Sequence, residues 1–137
     1  MTFRIRRVEY FYATVRDEPG AAHRILSQLA DVGVNLLAFT AVPIGPGRAQ
    51  LAIFPEEPQR LVTTAHQAGI ALDGPHPALL VQGDDELGAL ADVHKQLFDA
   101  GVDVYAASGV TDGRGAFGYV IYVREDQLQK AAAALGL

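Results

Sequence analysis

Sliding the sequence over itself by 68 residues brings its two halves into register without a gap. Asp17-Glu18 falls on Asp85-Glu86, Gly20-Ala21 on Gly88-Ala89, Gln28-Leu29 on Gln96-Leu97 and Gly33-Val34 on Gly101-Val102. Further along, Gly45 and Gly47 meet Gly113 and Gly115, and Ile53 meets Ile121. Glycine at turn positions and apolar residues at core spacing are what recur, so the repeat preserves a backbone path more than a surface. Two units written in 137 residues are each very small, and halves of that size bury a modest fraction of their surface. They are expected to share a sheet or an interface, and the chain is expected to dimerise. The join falls near Asp73 to Pro77, where Asp-Gly-Pro-His-Pro combines a turn dipeptide with two prolines, dividing the chain into 1–73 and 74–137.

Within one unit the pattern alternates between strand and helix. Val8 to Val15 is rich in aromatic and β-branched residues and runs into the turn chemistry of Asp17-Glu18-Pro19-Gly20. Ala22, Ile25, Leu26 and Leu29 then fall on one helical face, with Asp17 or Glu18 placed to cap the start and Gly33 to end it. Leu90, Val93, Leu97 and Phe98 repeat the stripe and Gly101 repeats the stop. Asn35 to Val42 and Ala49 to Phe54 read as a hairpin, as do Val102 to Val110 and Phe117 to Val123. Second helices follow near Gln59 to Ala68 and Asp126 to Leu135, and a short strand at Ile70 to Leu72 closes the first unit. The order is strand, helix, strand, strand, helix, strand: an α+β fold of two ferredoxin-like (βαββαβ) units with helices on one face of an antiparallel sheet. The sequence stops at Leu137, just after the second helix, so the second unit is expected to lack its last strand. The open edge could pair with the other unit, with a second chain, or with the segment from Phe3 to Arg7.

Composition removes several functions. A formal charge of -5 opposes the phosphate attraction that supplies most nucleic-acid affinity, so no nucleic-acid partner is expected. Arg4, Arg6 and Arg7 form a local basic cluster that reads as a solvated strand flank in preference to an anion site. Without cysteine there is no disulfide, thiolate metal site or cysteine nucleophile. The N-terminal stretch alternates charged and apolar residues and carries no apolar signal core, and no run is long enough to span a bilayer, so a cytoplasmic protein with no membrane partner is expected.

Asp17-Glu18-Pro19-Gly20, an amphipathic helix carrying Ile25 and Leu29, and then Gly33-Val34-Asn35-Leu36 together resemble the signature of ACT domains: Asp-x-Pro-Gly, a helix, then Gly-hydrophobic-Asn-hydrophobic. The second copy departs from it, with Leu87 in the place of the proline and Asp103 in the place of the asparagine. The resemblance implies a tandem, free-standing regulatory protein that binds an amino acid at an interface between units, with an enzyme of amino-acid metabolism as a possible partner. It also implies that backbone groups of Asp17, Glu18, Pro19, Gly20 and Ala21 meet the ligand, while Asn35, next to Leu36, presents its amide. In the second copy Asp85, Glu86, Gly88 and Asp103 are the weaker counterparts, because a carboxylate at residue 103 repels a ligand carboxylate unless a cation is near. A helix N-terminus offers unpaired N–H groups to an anion, which suits such a ligand. The same residues also suit a merely well-capped helix.

Other signals carry less. Gly113-Arg114-Gly115-Ala116-Phe117-Gly118 has the letters of a dinucleotide fingerprint but leads into a strand, so it reads as a hairpin turn. His23, His66, His76 and His94 are too dispersed for a metal site, and Ser27 and Ser108 lack a nucleophile's setting. Glu56-Glu57 and Asp84-Asp85-Glu86 precede helices, where negative charge is stabilising. No catalytic residue, metal or cofactor is expected. The leading expectation is a homodimeric amino-acid sensor, and the alternative is a ligand-free interaction or dimerisation module.

Overall fold

The computed structural model describes residues 3–137. These form six strands and four α-helices in the order β1 (Phe3–Arg16), α1 (Ala21–Asp31), β2 (Leu36–Gly45), β3 (Arg48–Pro55), α2 (Pro58–Ala68), β4 (Asp73–Asp84), α3 (Ala89–Asp99), β5 (Val104–Thr111), β6 (Ala116–Val123) and α4 (Leu128–Ala134). This is the α+β, ferredoxin-like architecture that the repeat predicts. Two compact units divide it: Glu9–His76, the first unit, and Pro77–Leu137 together with the residues up to Val8, the second. No helix among the described residues is long and apolar enough to cross a membrane.

In the first unit β3 lies between β1 and β2, with Phe11 opposite Ile53 on one side and Phe39 opposite Ile53 on the other. Alternate residues Phe11 and Ala13 of β1 and Leu51 and Ile53 of β3 face the helices. They meet Ile25 and Leu29 of α1 and Leu61 of α2 in one core. The second unit repeats this with β6 between β4 and β5: Leu79 and Val81 of β4 and Ile121 and Val123 of β6 pack on Val93 and Leu97 of α3 and Ala131 and Ala132 of α4. Phe3 and Ile5 of β1 also pack on this core, Phe3 meeting Phe117 edge-on at 6.2 Å. Of the three ways of completing the second unit, the structure therefore has the N-terminal segment.

Helix ends repeat as closely as cores do. The Val34 N–H donates to the Leu29 carbonyl at 2.9 Å and the Val102 N–H to the Leu97 carbonyl at 3.0 Å, each across a glycine of positive φ. This is the Schellman closure that a left-handed residue allows.

Three expectations need correction. The buried faces of α1 and α3 are Ala21, Ile25, Leu29 and Ala89, Val93, Leu97. Leu90 and Phe98 are exposed, because alanine at the helix start allows close approach to the sheet and turns the larger neighbours outward. Neither Asp17 nor Glu18 caps α1: its N-cap is Gly20 and carries no side-chain cap hydrogen bond. Ile70 to Leu72 is not a strand; the strand begins at Asp73 and runs through both prolines, whose fixed φ suits extended backbone.

Candidate functional site

The two loops that lead into α1 and α3 superimpose hydrogen bond by hydrogen bond. The Asp17 N–H donates to the Gly47 carbonyl and the Asp85 N–H to the Gly115 carbonyl, both at 2.9 Å, so each loop is tied to the turn of its own hairpin. Glu18 and Glu86 each donate to the carbonyl two residues back, and Gly20 and Gly88 adopt φ of 87° and 86°. A side chain at either glycine would be strained, so the motif is preserved for its backbone. Leu87 replaces Pro19 without altering that path, which explains why the second copy tolerates the change.

The first turn of each helix is left with donors to spare. The Arg24 and Asp92 N–H groups bond to the Gly20 and Gly88 carbonyls, and among the described residues no backbone acceptor meets Ala22 and His23 or Leu90 and Ala91. Neither helix has a side-chain cap. Two unpaired N–H groups at a helix start, with the positive end of its dipole, favour a small anion such as a carboxylate.

The loops differ in what lies beside them. In the first unit Glu18 is ion-paired with Arg24 at 2.9 Å, beside a shallow cleft of about 340 Å³ lined by Arg16, Ala21, Ile25 and Gln28 as well. In the second unit the cleft is about 600 Å³. It runs from Asp85–Ala91 to Gly109, Val110, Thr111 and Phe117. Gly109 and Gly118 stand in this unit where the first has Ala41 and Gln50.

Asn35 is at the other end of its helix. Its Nδ2 donates to Glu56 Oε2 at 2.7 Å, while the Glu56 N–H donates to the Asn35 carbonyl at 2.8 Å. Eleven helical residues rise about 16 Å, so Asn35 and the Asp17–Ala21 loop of one unit cannot grip one small ligand. Leu36 packs partly buried against the first core. In the second copy the Asp103 N–H bonds to Gln127 Oε1 at 3.0 Å, and Arg124 occupies the position of Glu56.

Sequence reasoning placed the histidines and strand tyrosines without pairing them. Tyr119 Oη lies 2.7 Å from His94 Nε2, with the phenol pushed above its ordinary range by burial. Tyr10 stacks on Phe54 at 4.9 Å and meets His76 at 5.3 Å, and His76 Nε2 stands 3.5 Å from Asp73 Oδ2 without a hydrogen bond. The glycine-rich segment after Thr111 is a hairpin turn, in which Asp112 Oδ1 accepts from the Arg114 and Ala116 N–H groups. No group of three metal-ligating side chains occurs among the described residues.

Tyr119→Phe is expected to cost about 0.5–1.5 kcal/mol through loss of the bond to His94. It is also expected to flatten the alkaline limb of the stability profile. A phenol whose folded pKa is raised contributes stability that is intact below the unfolded value of about 10 and is lost as pH rises through the folded one. Urea unfolding between neutral and alkaline pH measures both.

Solved structures supply the next comparison. Protein BT0572 from Bacteroides thetaiotaomicron matches with a TM-score of 0.83 at 16% identity, over 96% of this chain and 88% of that one. The ligand-free regulatory subunit of aspartate kinase from Thermus thermophilus matches with a TM-score of 0.67 at 15% identity, over 97% and 93%. The regulatory subunit of aspartate kinase from Thermus flavus gives 0.60 at 15% identity, over 98% and 93%. The likeness is one of fold. It covers nearly the whole of this chain and 88–93% of each of those chains. No family model and no curated protein matches the sequence.

Proposed function

We propose that this protein is a non-catalytic regulator that binds an amino acid or a similar small carboxylate at an interface between ACT-like units, and thereby alters its association with itself or with a cytoplasmic enzyme of amino-acid metabolism. One observation carries the reading: the same loop, with two free N–H donors at a helix start, is built twice, with the same hydrogen bonds whether Pro19 or Leu87 stands before its glycine. A loop needed only to cap a helix would carry a capping side chain, and neither does. Structures named as regulatory subunits of aspartate kinase share the fold, which supports the regulatory class.

The open cleft in the second unit favours Asp85, Glu86, Gly88 and the N–H groups of Leu90 and Ala91 as ligand contacts, with Leu87 and Leu90 meeting an apolar side chain. In the first unit the Glu18–Arg24 and Asn35–Glu56 pairs already occupy the polar side chains, which leaves the Ala22 and His23 N–H groups as its free donors and makes it the weaker candidate. A ligand touching both a helix-leading loop and Asn35 requires two units, because one helix holds those groups apart. A second copy is the natural source, and a ligand at such a junction shifts assembly by its differential affinity.

A thermal-shift screen against the standard amino acids tests the proposal. A ligand at a hundredfold excess over its Kd adds about 2.7 kcal/mol, a melting shift of several degrees. Leu90→Glu, which puts a carboxylate beside the free N–H groups, is expected to lower the shift. An unchanged melting temperature across the panel, with the protein still an oligomer, would instead favour the ligand-free interaction module.

A further inference from the structure

The second unit has a groove on the sheet face turned away from its helices. Phe117, Tyr119, Ile121 and Val123 of β6 enter the helix-covered core, so the alternate residues Ala116 and Gly118 face the other way. Gly118 stands opposite Gln82 of β4 and Val110 of β5, and Ala116 stands opposite Asp84. Asp112 follows β5, its N–H donating to the Ala116 carbonyl at 3.0 Å. The middle strand thus carries only a hydrogen and a methyl where its neighbours carry full side chains. The trough is about two strand spacings wide, roughly 10 Å. Its volume is about 540 Å³, and Arg4 is part of its wall. A hollow of about 400 Å³ lined by Arg4, Ile5, Arg6 and Gln82 adjoins it. At the equivalent floor positions the first unit has Arg48 and Gln50, so the feature belongs to one copy of the repeat.

The charged groups of the groove are not consumed by the fold. The side chains of Arg4 and Asp84 make no hydrogen bond or ion pair among the described residues, and Asp112 uses only Oδ1 in its turn. One guanidinium and two carboxylates therefore face a space floored by Gly118 and Ala116. A simple anion meets the repulsion of two aspartates, and a simple cation meets that of Arg4; a molecule bearing both charges satisfies all three.

We propose that this groove binds a small zwitterion, an amino carboxylate whose carboxylate pairs with Arg4 and whose ammonium lies between Asp84 and Asp112. The site goes beyond the reading above, since it uses no group of the loop before α3 and stands whether or not that loop binds a ligand. Because the groove is open to water, affinity in the millimolar range is expected, about 4 kcal/mol.

The test uses the full chain, isotope-labelled for amide NMR, with 5-aminopentanoate as probe and pentanoate and pentylamine as single-charge controls. Saturable shifts of the Gly83 and Gly118 amides with 5-aminopentanoate are expected, and binding of each control at least about tenfold weaker. Arg4→Gln, an exposed change, is expected to weaken binding about tenfold or more. Gly118→Val fills the trough, since a Cβ there meets nothing within 4 Å, and is expected to abolish binding; Arg4→Gln decides the matter if that variant misfolds. Leu90→Glu, which alters only the cleft beside α3, is expected to leave it intact. No shift at about 20 mM, equal binding of a single-charge control, an undiminished response in Arg4→Gln, or loss in Leu90→Glu would each overturn the proposal.

Discussion

Gly109→Ala is expected to remove about 1–3 kcal/mol of stability, more than an added methyl costs at most exposed positions of an edge strand. Gly109 of β5 pairs with Tyr119 of β6, and the tyrosine ring lies across it. A Cβ built on Gly109 falls 2.5 Å from Tyr119 Cδ1 and 3.2 Å from the Gly118 carbonyl oxygen. The ring cannot swing clear cheaply. Its hydroxyl is held by His94 at 2.7 Å and its body belongs to the second core. Relief must come from displacing the strand or breaking that hydrogen bond, and either loosens α3 from the sheet beside the larger cleft. Urea unfolding measures the loss as a lower midpoint at constant slope. In a Tyr119→Ala background the same change should cost less than about 1 kcal/mol, because the clashing ring is gone. An equal cost in both backgrounds would refute the account.

The order of elements was legible because two copies of the unit reinforce each other. The 68-residue offset that pairs Asp17 with Asp85 and Gly47 with Gly115 in sequence also relates the two hydrogen bonds that pin the loops. Glycines marked the turns correctly, since the backbone at Gly20, Gly33, Gly88 and Gly101 has positive φ. Legibility failed where the pattern rests on proline. Pro75 and Pro77 mark the point where the chain divides into its two units, but they read as turn and lie inside β4, since a proline removes one ladder donor without opposing extended backbone. The packing of Phe3 and Ile5 on the second core could be named only as one of three ways of filling an edge, because local pattern does not choose among partners of equal geometry.

The candidate site was legible as a motif and not as a surface. The sequence located the loops, but it could not show that Asn35 is committed to Glu56, a contact between residues 21 apart. Nor could it rank the copies. The second one looked degenerate by its side chains, yet the cleft beside its loop is the roomier, lined by β5 and β6 residues far from the motif in sequence. Arg4 read as a solvated flank, and its place in the wall of a groove with Asp84 depends on a pairing between distant parts of the chain.

Leu97→Ala is expected to cost about 2–5 kcal/mol and Phe98→Ala less than about 0.5 kcal/mol, although the sequence assigns both residues to one buried stripe. Leu97 is 1% exposed and touches the core that Leu79, Val81 and Ile121 build, so its truncation leaves a cavity lined by strands that cannot collapse without breaking their ladder. Phe98 is 80% exposed, and its loss removes no packing. Leu29, the counterpart of Leu97, is equally buried in the other core and should cost about the same when truncated. Because Leu29 and Leu97 belong to separate cores, the double variant should lose the sum of the two single effects within about 0.5 kcal/mol. The comparison also bears on function: an exposed phenylalanine whose removal leaves stability unchanged but lowers the self-association constant would place the outer face of α3 at the contact between copies. Chemical denaturation with sedimentation equilibrium on the same variants separates the two effects, since only the second depends on protein concentration.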